Sequence, residues 1–310
     1  DATAGCVRLA RAFTGKENII SCGYHGWQDW YIGTTPRNKG VPKCVQDLTH
    51  TFEFNNLKSL EKKLHELEDD VAGVILEPMN TQFPDEGFLE GVKELTHKHD
   101  AILIFDEVVT GFRHANGGAQ EYFGVTPDLT ALGKGLANGY PLSAIAGASE
   151  IMDLLEEVYF SFTAGGETLS LAAGLACLKK LERENVIEKM STKGEHLNNS
   201  VNKIIKKKLL GEVLSIQGHP AWSFLIIQDH EIIDSDTIKT LFMQEMMDNG
   251  VLCLGSHLIT YAHSDEDIEQ MILAYDKFTD KLKEVINGTS IGKILRCKPL
   301  RPLFKVRKDT

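Results

Sequence analysis

Two segments of the sequence place chemically active side chains where a ligand could reach them. In the first segment, Asp106 directly follows the apolar run 102–105. An apolar run without polar alternation is typical of a strand buried on both faces of a parallel sheet. A buried carboxylate is costly unless a cation or a hydrogen-bond donor needs it. Because ligands of open α/β sheets bind beyond the carboxyl ends of the strands, we predict that Asp106 faces a ligand.

In the second segment, ALGKGLANGYP, Lys134 lies between Gly133 and Gly135, 28 residues after Asp106. The segment is not a phosphate-binding Walker loop, because Asp128 and Gly135 stand where that loop needs a glycine and a serine or threonine. It does not match a dinucleotide fingerprint either, since its last glycine has the wrong spacing. Two interpretations remain: a surface lysine in a flexible turn, or a reactive amine in a turn that lets the backbone approach a ligand.

An amine and an acid that act on one ligand are the pair that pyridoxal phosphate (PLP) enzymes need. The amine forms a Schiff base with the cofactor, and the acid keeps the ring nitrogen protonated so that the ring can accept electrons. Asp106 at a strand end and Lys134 in a glycine turn fit these two roles. The cationic ring nitrogen would in turn stabilise the carboxylate.

The order of the apolar patterns predicts the elements that position these residues. Strand, helix and strand alternate, which indicates an α/β fold with a large, mainly parallel sheet and helices on both faces. After residue 180 the pattern predicts a smaller α+β domain over 181–310, beside a large domain over 1–180; its last helix should begin with a capping box of Ser264 and Asp267. The predicted strands of the sheet are 18–22, 71–78, 101–105 and 143–148, and the predicted helices around it are 1–13, 57–70, 87–99 and 167–184.

The composition limits the classes of function. The chain has 310 residues, of which 42% are hydrophobic and 25% charged, as in an ordinary globular protein. Its net charge of -11 argues against nucleic acid or an anionic membrane as a partner. The six scattered cysteines predict free thiols, and no apolar run could span a bilayer, so a cytoplasmic protein is expected. His97 and His99 diverge around a helix, and no metal site is predicted there.

Four segments carry a resemblance to a known family: YHGW at 24–27, IFDEVVTGFR at 104–113, ALGKGLANGYPLSAIAG at 131–147 and FTAGGETLSLAAGLA at 162–176. With them the chain resembles the class III aminotransferases, in particular the branch close to glutamate-1-semialdehyde aminomutase. The similarity extends over nearly the whole chain. It implies a PLP-dependent transferase of fold type I with pyridoxal 5'-phosphate as its cofactor.

The resemblance also implies a role for each matched residue at the cofactor. Lys134 would be the Schiff-base lysine, and Asp106 the partner of the ring nitrogen. Val108 would lie against one face of the ring, and Tyr24 would stack on the other face. His25 belongs to the same turn as Tyr24 and is expected to be a hydrogen-bonded structural residue beside the cofactor.

Further residues are expected around this centre. Thr163 matches a residue that reaches the cofactor phosphate of the neighbouring subunit, which implies a homodimer. Glu77 and Asn80 follow an apolar strand and are expected to face the site. Glu107 and Arg113 are expected to brace the loop after the strand through ion pairs.

Two departures from the family pattern bear on the activity. The phosphate-binding turn of the family comes immediately before the residues that match Asp1 to Thr3, so this chain is expected to lack that anion site, part of the substrate pocket and an N-terminal portion. Near the C-terminus, SHLITYAHSDED is shorter than the matching stretch of the aminomutases, and it offers no acid before His263. The carboxylate-binding arginine of other members is not evident there either. The expected substrate is therefore an aldehyde or ketone without that carboxylate, such as a sugar derivative.

Three functions stay open from the sequence. The first is an aminotransferase that moves an amino group from a small-molecule amine donor to a carbonyl acceptor in two half-reactions. The second is an aminomutase of the glutamate-1-semialdehyde type, which moves the group within one molecule. The third is a truncated, noncatalytic chain that keeps the fold without turnover.

Overall fold

The computed structural model describes residues 1–300, which divide into two compact units, residues 1–184 and 185–300. The first unit contains a six-stranded sheet, in which all neighbouring strands are parallel except the last pair. In chain order the strands are β1 (Asn18–Cys22), β2 (Thr49–Thr51), β3 (Val71–Leu76), β4 (Ile102–Asp106), β5 (Leu129–Leu132) and β6 (Ala144–Gly147). Across the sheet they lie in the order β2-β1-β3-β4-β5-β6, with β6 antiparallel to β5.

Helices connect these strands. They are α1 (Ala2–Thr14), α2 (Asp29–Ile32), α3 (Lys43–Gln46), α4 (Leu57–Glu66), α5 (Phe88–Lys98), α6 (Gly118–Phe123), α7 (Ser149–Met152) and α8 (Thr168–Arg183), with short 3₁₀ turns at Lys134–Leu136 and Asp153–Glu156. Local signals set their ends. Helix α4 begins after Asn56, whose side chain accepts a hydrogen bond from the Ser59 N–H, and α1 ends at Gly15, which has a φ of 69.

Apolar side chains cover both faces of the sheet. On β4, Ile102 and Ile104 pack in one cluster with α1, whereas Leu103 and Phe105 pack in another with α4 and α5. Successive residues of a strand point to opposite faces, so an unbroken apolar run buries both of them. The predicted α/β architecture with helices on both faces is confirmed.

The structure differs from the sequence prediction in local detail. Strands β2 and β5 are not predicted by the apolar pattern, because both are short and β2 lies in a loop-rich stretch. Helix α4 ends at Glu66 rather than at residue 70. The cause is the backbone of Glu68 and Asp69, whose φ angles of 46 and 65 are incompatible with a continued right-handed helix.

The second unit has its own small sheet. Its elements are α9 (Val186–Lys207), β7 (Leu214–His219), β8 (Trp222–Ile227), α10 (Ser235–Asp248), β9 (Ser256–Leu258) and α11 (Asp265–Ile286), followed by a 3₁₀ turn at Ile291–Lys293. The strands are antiparallel in the order β7-β8-β9. The predicted capping box at the start of α11 is confirmed: the Ser264 N–H donates to Asp267 Oδ2 at 2.7 Å, and the Asp267 N–H donates to Ser264 Oγ at 3.2 Å.

The cysteines are all free thiols, as predicted. Burial raises the pKa of the Cys22 thiol at the end of β1 to about 12, and it raises the pKa of Cys6 in α1 even more. These two thiols therefore stay protonated at neutral pH. Within residues 1–300, no helix is both long and apolar enough to cross a membrane.

A buried histidine makes the stability of the second unit depend on pH. His257 Nδ1 is hydrogen-bonded to the Ser223 hydroxyl at 2.9 Å, and its Nε2 to the Tyr275 hydroxyl at 2.6 Å. Burial lowers the pKa of His257 from 6.5 to about 4. The unfolded chain therefore binds this proton more tightly than the folded chain. The contribution of the neutral His257 to the free energy of unfolding is fully present above pH 6.5. It is lost as the pH drops toward 4, and the loss amounts to up to about 3 kcal/mol.

We expect the local free energy of unfolding around β7 and β8 to decrease over this pH range. His257→Gln should lower that free energy at neutral pH and should remove most of its pH dependence, because glutamine does not titrate. Hydrogen exchange measured on peptides from these strands gives the free energy directly. His65→Gln, at an exposed position of α4, is the control and should behave as wild type. An unchanged pH dependence in His257→Gln would contradict the assignment.

Candidate active site

Neighbouring parallel strands end in polar side chains at one edge of the large sheet. Tyr24 and His25 follow β1, Glu77 follows β3, Asp106 is the last residue of β4, and Lys134 follows β5. Parallel strands bring their carboxyl ends to the same edge, so residues that are far apart in the sequence converge. All five of these residues line one cavity of about 280 Å³.

The Asp106 carboxylate is buried and is held at both oxygens. The residue is 5% exposed. Its Oδ2 lies 2.8 Å from His25 Nδ1, and its Oδ1 accepts a hydrogen bond from the Val108 N–H at 3.1 Å. These bonds offset part of the cost of burying the charge and fix the orientation of the carboxylate. The sequence predicts a hydrogen-bonded His25, and the structure identifies Asp106 as its partner.

His25 is held in turn by its surroundings. Its ring stacks on Trp30 with 6.1 Å between the centroids and meets Tyr31 edge-on at 5.2 Å. The Thr3 hydroxyl, in the first turn of α1, donates to the His25 carbonyl at 2.9 Å. The Nε2 atom is buried and has no hydrogen-bond partner among residues 1–300. The packed ring thus directs its side-chain hydrogen bond to Asp106.

Lys134 has an unusual backbone conformation. Its φ of 40 lies in the left-handed region, which costs a lysine on the order of 1–3 kcal/mol. The flanking glycines are less constrained: a Cβ on Gly133 would lie 3.4 Å from Val108 Cγ1, and a Cβ on Gly135 would lie 3.6 Å from the Gly111 carbonyl oxygen. The strain is therefore at the residue that bears the amine. Strain of this kind persists at functional sites because the surrounding structure imposes it.

Glu77 fixes the turn that carries Tyr24. Its Oε2 accepts a hydrogen bond from the Tyr24 N–H at 3.0 Å. Gly23 has a φ of 109, and a Cβ on it would lie 2.6 Å from Glu77 Oε2, so only glycine fits there. The Tyr31 hydroxyl donates to the Gly23 carbonyl at 2.7 Å, and its ring meets that of Tyr24 edge-on at 5.6 Å. The Tyr24 ring, half exposed, is held at the cavity.

The charged groups at this edge act on one another. Burial raises the pKa of the Glu77 carboxyl, and Asp106 adds to the rise. His25, the Tyr24 N–H and Lys134 act in the opposite direction. Two acids, an imidazole and an amine therefore share one electrostatic environment, as is common at catalytic sites.

Known proteins match this chain along most of its length. A family model described as aminotransferase class-III matches residues 1–277. The chain belongs to the class III aminotransferase family. Glutamate-1-semialdehyde 2,1-aminomutase of Natranaerobius thermophilus is 36% identical, over 92% of this chain and 73% of its own length. The 3-aminobutyryl-CoA aminotransferase of Cloacimonas acidaminovorans is 32% identical, over 92% of this chain and 70% of its own length.

The fold agrees with this family. The FumI protein of Sphingopyxis sp. MTA144, solved in its PLP internal aldimine form, superimposes with a TM-score of 0.85 at 22% identity. The superposition covers 94% of this chain and 71% of that protein. The predicted class III family and fold type I are confirmed.

Class III aminotransferases are PLP enzymes, and the lining of the cavity suits this cofactor. Lys134 offers an amine for its aldehyde carbon, and Asp106 offers an acid for its ring nitrogen. Val108 and the ring of Tyr24 line the same cavity and offer apolar surfaces to a flat ring. The first turn of α1 also lines it.

Thr163 and Asn80 do not line the cavity of this chain, although both are predicted at the site. The class III resemblance predicts Thr163 there, and the sequence pattern predicts Asn80. Thr163 is exposed in the turn before α8 and is not among the lining residues that the structure describes. Asn80 is not among them either, and its Oδ1 accepts a hydrogen bond from the Thr81 N–H at 2.5 Å. Their roles stay predictions.

Glu107 braces the loop after β4, as predicted, but by a different interaction. Its buried carboxylate accepts hydrogen bonds from the Ala119 and Gln120 N–H groups in α6 and from the Thr110 hydroxyl. The brace at Glu107 thus consists of hydrogen bonds from neutral donors, and the ion pair expected for Arg113 stays a prediction. Burial raises the pKa of Glu107 and lowers that of Arg113.

The histidines of the HKHD segment are each engaged by a carboxylate of their own. His97 Nε2 lies 2.9 Å from Asp128 Oδ2, and His99 Nδ1 lies 3.3 Å from Asp69 Oδ1. Among the residues that the structure describes, no cluster of three or more His, Cys, Asp or Glu side chains could hold a metal ion.

Leu142 and Ser143 also line the cavity; they lie within the matched segment 131–147, but neither is predicted as a site residue. They precede β6, which runs antiparallel to β5, with Ala144 paired to Leu132. The amino end of β6 therefore lies at the edge where the parallel strands end. The short connection 133–143 is the sequence signal that β6 runs antiparallel to β5, because a parallel crossover needs a dozen residues or more.

Proposed function

We propose that this member of the class III aminotransferases transfers amino groups to an aldehyde or ketone, with Lys134 as the lysine that bonds to PLP. The observation that carries the proposal is that Lys134 and Asp106 line one cavity at the ends of the neighbouring strands β4 and β5. The bound cofactor supplies an electron-accepting ring that stabilises negative charge on the substrate carbon.

The side chains around the proposed cofactor have separate roles. Asp106 holds a proton on the ring nitrogen, and its bond to His25 keeps the carboxylate in place. Tyr24 and Val108 hold the ring between them and limit its rotation. The Nζ of Lys134 moves a proton to and from the substrate carbon as the acid and base of the reaction.

A second copy of the chain completes the proposed site. Its Thr163 would reach the phosphate of the cofactor, as the class III resemblance implies. The exposed position of Thr163 before α8 supports this role, because the side chain is accessible to another subunit. The working form is then a homodimer. We place it in the cytoplasm, which fits six free cysteines.

The site of cofactor attachment tests the proposal. The wild-type protein is loaded with PLP, treated with borohydride to make the bond permanent, and digested. We expect mass spectrometry to find the reduced cofactor on the peptide that contains Lys134. Lys58→Ala, at an exposed position of α4, should give the same result. Attachment at another lysine, or none at all, would overturn the proposal and favour a noncatalytic chain.

A second candidate activity is an aminomutase. It is favoured by the 36% identity to glutamate-1-semialdehyde 2,1-aminomutase. An aminomutase needs no separate donor, whereas an aminotransferase is converted by the first half-reaction and then waits for an acceptor. Product analysis with and without an added amine donor separates the two. Turnover of glutamate-1-semialdehyde without a donor would establish the aminomutase.

A further inference from the structure

Glu107 is a buried acid that has no role in the proposed function so far. The residue is 0% exposed, and it directly follows Asp106. Successive side chains of a strand alternate in direction, so Asp106 lines the cavity, whereas Glu107 is not among the lining residues that the structure describes. The Glu107 N–H donates to the Ala131 carbonyl at 2.9 Å and extends the pairing of β4 with β5 by one residue. Glu107 thus belongs to the edge of the sheet that carries the site, although it does not line the cavity.

The carboxylate of Glu107 joins the turn 107–111 to helix α6. Its Oε2 accepts a hydrogen bond from the Thr110 hydroxyl at 3.0 Å, within the turn, and another from the Ala119 N–H of α6. Its Oε1 accepts hydrogen bonds from the N–H and the side-chain Nε2 of Gln120, at 3.1 and 3.0 Å. All of these partners are donors, which favours the charged form and opposes the effect of burial on the pKa of Glu107. The turn is therefore fixed to α6 by charge-assisted hydrogen bonds that meet at one carboxylate.

The turn 107–111 lies against both neighbours of Lys134 in the chain. A Cβ on the glycine before Lys134 would lie 3.4 Å from Val108 Cγ1, and one on the glycine after it would lie 3.6 Å from the Gly111 carbonyl oxygen. Gly111 has no room for a side chain, because a Cβ there would lie 2.9 Å from Leu132 Cδ2 at the end of β5. The left-handed backbone of Lys134, with its φ of 40, needs surroundings that hold it. The packed turn provides such surroundings on both sides of the residue.

We propose that Glu107 is a positioning residue for Lys134: its carboxylate fixes the turn 107–111, and the turn keeps the Lys134 amine at the cavity. Val108 lines the cavity from the same turn, so one buried acid sets the place of the amine and of one wall of the ring site. Glu107 acts through the turn and does not touch the cofactor. This inference rests on the proposed function of Lys134 and adds a residue to it. Misplacing a reacting group by about 1 Å slows a reaction by up to about 10²-fold.

Thr110 offers a matched pair of substitutions. Valine has the shape of threonine without its hydroxyl, whereas serine keeps the hydroxyl. Thr110 is buried and is not among the described residues that line the cavity. In the PLP-loaded protein we expect Thr110→Val to change the visible circular dichroism of the cofactor and to slow the half-reaction with alanine by about tenfold. Thr110→Ser should retain the wild-type dichroism and rate, and borohydride should trap the cofactor on Lys134 in both variants.

Glu107→Gln tests the acid itself. Glutamine offers one acceptor oxygen, and its NH₂ group would meet N–H donors of α6, so the dichroism and the rate should change at least as much as in Thr110→Val. Thr126→Val, at an exposed position before β5, is the control and should match wild type. If Glu107→Gln does not fold, the two Thr110 variants still decide the outcome.

A role of Glu107 in folding alone gives a different result. A lower Tm of Thr110→Val, with wild-type dichroism and a wild-type rate per bound cofactor, would mean that Glu107 supports only the fold, and it would overturn the inference. If alanine does not react with the wild-type protein, the dichroism decides by itself. Unchanged dichroism with the cofactor trapped on Lys134 contradicts this inference alone, whereas absence of the Lys134 adduct in wild type contradicts the proposed function as well.

Discussion

We expect Lys134→Ala to abolish covalent attachment of PLP and to slow amino transfer by about 10²- to 10⁴-fold. The Nζ atom of Lys134 has two roles in the proposed function. It bonds to the cofactor, and it transfers the proton at the substrate carbon. No other lysine is among the residues described as lining the cavity, so none can take its place. The visible absorbance of the cofactor and the rate of a single half-reaction measure the two tasks separately.

Folding should be little affected by this substitution, which makes the result interpretable. Alanine keeps a Cβ and so keeps the strain of a φ of 40 at position 134. Lys58→Ala removes an exposed lysine from α4 and is expected to match wild type in absorbance and rate. Retention of a lysine-bound cofactor and of the wild-type rate in Lys134→Ala would show that the reactive amine lies elsewhere.

The second large effect on the rate is expected from substitution of the Asp106 carboxylate. Asp106→Asn should lower the rate by about 10²- to 10³-fold, the usual loss when one charge-stabilising group is removed from an active site. Asparagine has the same shape and can keep the bond from the Val108 N–H, but it cannot hold a proton on a ring nitrogen by charge. The cofactor should remain attached to Lys134, so that its absorbance persists while turnover falls.

A rate loss without loss of the cofactor distinguishes Asp106 from a residue that merely supports the fold. Asp153→Asn, at an exposed position of the 3₁₀ turn after α7, is the matched control and should leave the rate unchanged. Nearly full activity in Asp106→Asn would mean that the carboxylate does not act on the ring nitrogen. The bond to His25 would then be its main role.

The sequence predicts the principal pair of the site because the relevant information is local. An apolar run that ends in Asp106 identifies a buried parallel strand and its carboxyl end. The glycine turn around Lys134 follows another strand, β5, which the apolar pattern alone does not reveal. The sequence therefore pairs Lys134 with Asp106 through the chemistry of PLP enzymes and the class III resemblance, and the parallel strands β4 and β5 explain why the two residues meet.

The other partners depend on long-range packing. His25 and Asp106 are joined at 2.8 Å although 81 residues separate them, and no periodic pattern encodes such a pairing. Gly23, whose φ of 109 favours glycine, lies against the side chain of Glu77, which follows a different strand. Ser143 enters the site because β6 runs antiparallel to β5. The brace at Glu107 uses the amides of α6, since the folded loop brings the helix terminus to the carboxylate.

The amino-acid sequence by itself determined the family, the α/β architecture and the acid and amine of the candidate site. These follow from residue type, apolar periodicity and local motifs, which are written along the chain. Only the tertiary structure decided which groups hold Asp106, where the strain at Lys134 lies and which turn the Glu77 carboxylate holds. Those properties come from distances between strands that are remote in the sequence, and packing sets such distances only when the whole sheet has formed.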